Sequence, residues 1–458
     1  MSHETTGAGD GDATPASPEP PDPAAILQSR GFVVVVVGAA VIGLLVSLVS
    51  WGFLELVHQI QVGVFSDLPD ALGYDTVPGW YLVLVLGLAG VPVALAVTRL
   101  PGHGGHVPAY GLQPGGASSP ATVPGVAIAA LATLGLGLVL GPEAPLIAIG
   151  AGVAVFAVQR AKRDAPPQLL IAMAAAGSFA AISAIFGSPI VAAIFLIEAT
   201  GIGGATLPLV LIPGLVAAGV GSLVFVGTAR WTGLPTAAYS LSPLELPKFG
   251  GITWGLVGWT IALGLAGALV TQLVRGIGFA GLRVVPRRPL VWVPVVGVLV
   301  AALAVVFAAT TTHDATEVLF SGQDALPGLV GDAATWSVGA LLMVMLCKGV
   351  AWGLCLSAFR GGPTFPAIFL GAAGGVAASH LPGLPMTPAV AVGMAVMVVS
   401  FLKLPLSSVV IATVLAASGG AATGPLIIVG VAVAYLATLG LEGRLGARRL
   451  VPAPPVDP

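Results

Sequence analysis

Two short segments carry the residues on which chemistry could rest. The first reads Gly141-Pro142-Glu143-Ala144-Pro145-Leu146-Ile147-Ala148-Ile149-Gly150-Ala151, and the second Gly362-Pro363-Thr364-Phe365-Pro366-Ala367-Ile368-Phe369-Leu370-Gly371-Ala372. Each sets Gly and Pro just ahead of an apolar helical run. Pro fits the first helical turn, where its missing N–H costs nothing, and Gly lets the backbone approach another group closely. The first-turn N–H groups then lack intrahelical partners, with the positive end of the helix dipole behind them. Pro142, Ala144 and Pro145, and Thr364, Phe365 and Pro366, therefore mark two places where backbone amides could hold an anion. Amides bind it without a fixed full charge, which suits rapid passage.

Glu143 stands in the first turn of such a helix, where the dipole favours its charge, so it competes for the place a free anion would take. A carboxyl in an apolar run is costly and marks a functional candidate. Protonated, it loses that attraction and can swing away, so one residue could be gate, proton acceptor or both; the plainer alternative is an N-terminal cap. Glu198, closing the short run 189–198, reads as a structural carboxylate bonded to nearby backbone N–H groups or a basic partner. Lys348, just before the second segment, either raises the positive potential near a pathway or snorkels to an interface. His103 and His106 have no Cys or carboxylate nearby and read as loop histidines, not metal ligands. Tyr110 and Tyr435 read as interface anchors. With no nucleophile–base pair at helical spacing and no metal triad, neither an enzyme nor a cofactor is expected.

The elements that must position these groups are apolar. Of 458 residues 57% are hydrophobic and 8% charged, against about 25% charged in soluble proteins, and mean hydropathy is +1.02. Lipid must be part of the solvent. The formal charge of −2 and the lack of a basic block argue against nucleic acid. Cys347 and Cys355 lie too far apart along a helix to bridge and read as small buried groups. Residues 1–27, rich in Pro, Ala, Gly and Ser and without Lys or Arg, read as a disordered tail with no signal-peptide n-region, and 450–458 as a second tail. Between them apolar runs follow closely, from 32–56 to 424–441. Several can span a bilayer, but 189–200 and 405–417 are too short and read as half-helices ending inside the membrane. The 64 Gly and 38 Pro suit close helix contacts and broken helices. The two segments share Pro-x-Ile-x-(Ile/Leu)-Gly-Ala, and each is followed by a Pro opening a short helix, Pro189 and Pro405. Such matched interruptions indicate two structural repeats, 28–235 and 236–449, with the site at their interface. Arg30 before the first run and Arg444, Arg448 and Arg449 after the last place both termini in the cytoplasm.

These motifs resemble the CLC family of chloride channels and chloride/proton exchangers over roughly residues 30–445. Gly141-Pro142-Glu143-Ala144-Pro145 is similar to the family's G-(K/R)-E-G-P, and Gly362-Pro363-Thr364-Phe365-Pro366 to its G-x-F-x-P. Gly104-Gly105-His106-Val107-Pro108 resembles G-S-G-I-P, and Gly187-Ser188-Pro189 through Glu198 resembles a family helix ending in glutamate. The resemblance implies an all-α, polytopic, inverted-repeat membrane fold with tilted and half-membrane helices, assembled as a homodimer of two pores in the cell membrane. It puts Glu143 at the external gate and places Gly105, His106, Val107 and Pro108, Glu143–Pro145 and Thr364–Pro366 on a chloride ion. There are departures. Gly105 replaces the serine of the inner chloride site, Thr364 a phenylalanine, and Ala199 the inner proton-transfer glutamate. No tyrosine lies near Gly446, where the family closes the inner pore. Loss of the inner carboxylate and the tyrosine favours a passive, Glu143-gated chloride channel. The alternative is a chloride/proton antiporter with a non-standard internal proton route.

Overall fold

The computed structural model describes residues 23–112, 119–233 and 241–446. Among them the first repeat runs α1 (Pro23–Leu27), α2 (Arg30–Val62), α3 (Leu68–Ala71), α4 (Gly79–Arg99), α5 (Val123–Gly135), α6 (Glu143–Ala161), α7 (Pro167–Phe186), α8 (Pro189–Thr200) and α9 (Leu207–Thr232). The second runs α10 (Trp254–Gly281), α11 (Pro289–Thr310), α12 (Leu326–Gly331), α13 (Val338–Ala358), α14 (Thr364–Ala378), α15 (Met386–Leu402), α16 (Pro405–Leu415) and α17 (Gly424–Gly446). Nine helices among the described residues are long and apolar enough to cross a membrane, and α8 and α16 are among those that are not. Large apolar side chains such as Leu223 and Leu436 stand at the surface, where only lipid would shield them. The chain is a multi-pass membrane protein of all-helical, inverted-repeat design.

One expectation fails at its edge. Pro23–Leu27, inside the segment read as a disordered tail, form a helical turn that packs on α2 and α9. Polar tail composition masked this short apolar stretch. Residues 1–22, the tail 450–458, Arg448 and Arg449, and the repeat boundary at 235/236 lie outside the described residues.

The repeat shows in which helices touch. α6 packs on α7 as α14 packs on α15, and α7 pairs with α8 and α9 as α15 pairs with α16 and α17. The turn between half-helices recurs too. Gly187 ends α7 and Lys403 ends α15, both in the left-handed conformation, and each is followed two residues later by the Pro opening the next helix. Gly187 adopts it at no steric cost. Lys403 is held there while its Nζ pairs with Glu442 at 2.6 Å.

The shared Gly of the two segments is explained by packing. A methyl on Gly150 would strike the carbonyl of Gly177 across the α6–α7 contact, and one on Gly177 would strike that of Gly150. Gly371 and Gly393 stand in the same mutual relation across α14–α15. Small residues let helices approach to backbone contact where lipid supplies no hydrophobic drive. Gly371→Ala is expected to cost about 1–3 kcal/mol, read as a lower thermal midpoint of the detergent-solubilised protein; an unchanged midpoint would contradict this packing.

Candidate functional site

The segments on either side of Glu143 and Thr364 are pinned to each other. Gly141 donates its N–H to Gly362 O at 2.7 Å, and Gly362 donates to Gly141 O at 2.6 Å, a two-bond antiparallel bridge. From that bridge α6 begins at Glu143 and α14 at Thr364. The first-turn amides of both helices therefore start from one place.

The Glu143 side chain does not cap its own helix. It crosses to the other repeat, where Oε1 accepts from the Thr364 N–H at 2.5 Å. Its second oxygen and the Thr364 hydroxyl are buried without hydrogen-bond partners, and both residues are fully buried. A carboxylate thus occupies the N-terminus of α14, the kind of place an anion would take. The crossing depends on Gly362, because a Cβ there would overlap the carboxyl carbon and Oε1 of Glu143. Phe365 packs beside Gly141 and stacks on Phe186 at 5.9 Å between ring centroids. Its ring therefore fills the space behind the crossing.

Cavities lie on both sides of this point. One of about 710 Å³ is lined by Gly105, His106, Ser178, Thr200 and Ala144, the neighbour of Glu143. On the other side a small cavity touches Leu140 and Pro142. It shares His58, Gln61, Gln323 and Asp324 with a cavity of about 680 Å³. Pro142 lines the small cavity and Ala144 the one of about 710 Å³, so the residues on either side of Glu143 reach different cavities. In the cavity of about 680 Å³ burial pushes the carboxyls of Asp324 and Glu317 above the usual range, opposed by His58 at the first and Lys348 at the second.

Gly105 has φ +97°, a region that disfavours any side chain. Its ideal Cβ would also meet Val126 at 3.1 Å. A serine could not be restored here without strain, and flux loss on a bulky change at Gly105 would report that strain as well as the pathway. His106 lines the cavity while a ring nitrogen is hydrogen-bonded to the Gly111 carbonyl. Val107 is partly buried and Pro108 buried, opening a 3-10 turn. Gly105 and His106 share a cavity with Ala144, whereas Thr364 and Phe365 open α14 next to the bridge.

Two secondary residues have structural partners. Both Glu198 oxygens accept hydrogen bonds at the start of α16, from Leu406 N at 2.8 Å, Ser407 N at 2.7 Å and Ser407 Oγ at 2.5 Å. It caps a half-helix of the opposite repeat. Glu198→Ala should lower stability by about 1–2 kcal/mol, seen in the thermal midpoint, and leave the choice among anions unaltered; a changed anion preference would contradict the capping role. Lys348 is fully buried, which excludes the snorkelling alternative. Its Nζ donates to the carbonyls of Glu317 at 2.9 Å and Leu319 at 2.6 Å and lies 4.3 Å from the Phe369 ring centroid. Its charge is drawn inward because backbone carbonyls and an aromatic face satisfy it locally. His103 lies in the loop at φ +50°, Tyr110 packs edge-on against Phe279 rather than standing free at an interface, and Cys347 and Cys355 are buried free thiols.

One residue here escaped the sequence reading. Arg360, two positions before Gly362, is buried and reaches from the second repeat to the loop that holds Gly105. A lone Arg closing an apolar run at Gly361-Gly362 was the signal.

Residues 105–439 match the family model described as voltage gated chloride channel. The YfeO protein of Escherichia fergusonii, provisionally named for ion transport, is 25% identical over 360 residues, covering 76% of this chain and 80% of its own. The protein of that name from Shigella boydii is 26% identical over the same shares. Among solved structures, a slow cyanobacterial Cl−/H+ antiporter superposes with a TM-score of 0.71 at 17% identity, covering 90% of this chain and 95% of its own. A CLC-type fluoride/proton antiporter superposes with a TM-score of 0.64 at 19% identity, covering 88% and 95%. At such identities these likenesses bear on the fold.

Proposed function

The chain belongs to the voltage gated chloride channel family, and on that premise we propose that it carries a small inorganic anion, chloride or one like it, across the cell membrane past the Gly141–Gly362 bridge, with Glu143 as the movable stopper. One observation carries the reading: the Glu143 carboxyl occupies the Thr364 amide between two cavities. An anion and this carboxylate compete for one N–H, so passage requires the side chain to leave, and loss of its charge weakens its hold. Gly105, His106, Val107, Pro108, Pro142, Ala144, Pro145, Phe365 and Pro366 would line the route with Thr364. The reading carries with it a homodimer with cytoplasmic termini, supported by Arg30 and Arg444 at the outermost spans.

Exchange of the anion against protons is the form we favour. A single carboxyl that is both plug and proton acceptor couples the two fluxes by its own competition, and the solved proteins of this fold named above are antiporters. A passive channel is the second reading. Ala199 offers no inner carboxyl and Glu198 is engaged in capping α16, so the inner proton route would have to run through water in the cavity beside Ala144. Purified protein in liposomes, with anion and proton movement recorded together under an imposed anion gradient, decides between them. Proton movement against its own gradient supports exchange. Anion flux with no proton movement supports the channel, and no flux of any halide sinks both.

A further inference from the structure

Arg360 is a buried cation of the second repeat that, like Lys348, has no carboxylate within ion-pair distance among the described residues. It is 7% exposed, and among the described residues no acidic group lies within ion-pair distance of it. Its backbone N–H donates to Thr133 Oγ1 at 3.3 Å on α5. Its Nε donates to the carbonyl of His103 at 3.4 Å, and Nη1 to Phe359 O at 3.1 Å. Its second terminal nitrogen makes no hydrogen bond among the described residues. The Cγ lies 3.5 Å from where a Cβ of Gly104 would stand, so the side chain lies directly against the inner loop. A guanidinium among carbonyls keeps a net positive charge, because carbonyl dipoles orient it without neutralising it.

We propose, resting on the anion-transport reading, that Arg360 is the fixed charge that selects for anions in the inner cavity, acting through the loop Gly102–His106 rather than by lining the route. The loop has lost the hydroxyl its motif would carry, and φ at Gly105 bars its return. The cavity walls around it are largely apolar, with Ser119, Thr122, Ser178, Thr200 and His106 as the polar side chains. A charge one layer behind such a wall acts across it with less screening than an exposed charge would have. It draws a small anion into the cavity and holds cations out. It does so without contact, so the ion is not trapped by a direct ion pair. Arg360 also orients the loop through His103 O. It is a positioning residue for the loop and a source of field for the ion.

The charge has a local witness. Burial lowers the His106 imidazole below its usual range, the Gly111 carbonyl raises it, and the Arg360 charge lowers it further. The other histidine and charged residues on the loop and the elements packed against it are His103, Arg99 at the end of α4, Lys348 on α13, held by two carbonyls, and Arg275 on α10, paired with Glu442.

The test compares Arg360→Gln and Arg360→Lys in the full-length protein, each checked for monodispersity and thermal midpoint. Chloride and bromide binding would be measured by calorimetry, and His106 titrated by NMR. Expected for Arg360→Gln is at least a tenfold weaker halide affinity and a His106 titration moved to higher pH. Arg360→Lys should restore both to near wild type. If folded Arg360→Gln binds chloride as wild type does, or if the affinity falls while His106 does not move, the charge is not acting on the cavity and the inference is overturned. A wild type that binds and moves no halide would instead sink the transport reading itself. Should Arg360→Gln fail to fold, Arg360→Lys against Arg360→Met supplies the same contrast, and equal halide affinity in that pair overturns the inference.

Discussion

Glu143→Ala is expected to leave anion passage intact and to reduce anion-coupled proton movement to the background of empty liposomes. In the wild-type arrangement Oε1 satisfies the Thr364 N–H. Without the carboxyl this buried donor is orphaned, at a cost of about 1–3 kcal/mol. An anion entering the vacated place relieves it. Halide affinity should therefore rise by roughly tenfold, since each 1.4 kcal/mol is one decade. Calorimetry with chloride, paired with the two-flux liposome assay, reads both effects. If anion flux disappears from a folded Glu143→Ala protein, Glu143 belongs to the anion's binding shell and not to its stopper.

Gly362→Ala should produce much of the same phenotype from the other repeat. The methyl would claim the volume now held by the Glu143 carboxyl carbon and Oε1. Gly362 does not carry a positive φ, so alanine fits the backbone, and the three atoms nearest the added methyl all belong to the Glu143 side chain. The carboxyl must move out of its place, and coupled proton movement should collapse. The sharper statement is the double mutant. In a Glu143→Ala background the atoms that the methyl would strike are gone, so Gly362→Ala should add little to flux or stability. Additive effects of the two changes would show that Gly362 acts by some other route, since coupled neighbours are expected to be non-additive.

Much of this architecture was readable in the sequence because membrane folds are governed by run length and by where Gly and Pro interrupt it. Pro189 and Pro405 open short helices where expected, and the matched Gly150 and Gly371 mark the same helix contact in each repeat. The site was less legible. Gly141 and Gly362 bond each other, but nothing in their spacing says that Glu143 reaches to Thr364 rather than to its own helix. That choice depends on a tertiary approach between segments 221 positions apart. Lys348 and Arg360 show the same limit. Both are single cations in apolar runs, yet one donates to the carbonyls of Glu317 and Leu319 and the other to a carbonyl of the loop that holds Gly105. Sequence gives the residue type, and only packing shows who answers its charge.

The two-bond bridge relates Gly141 to Gly362 as equals, and the residues two places on, Glu143 and Thr364, are each other's counterparts. Two carboxyls in those positions would face one another across a dyad at close range and repel. With the acid on one limb only, the N–H of the other limb is left to receive it. The acid thus breaks the mirror-like sameness of the two directions and gives an otherwise reversible conduit a front and a back.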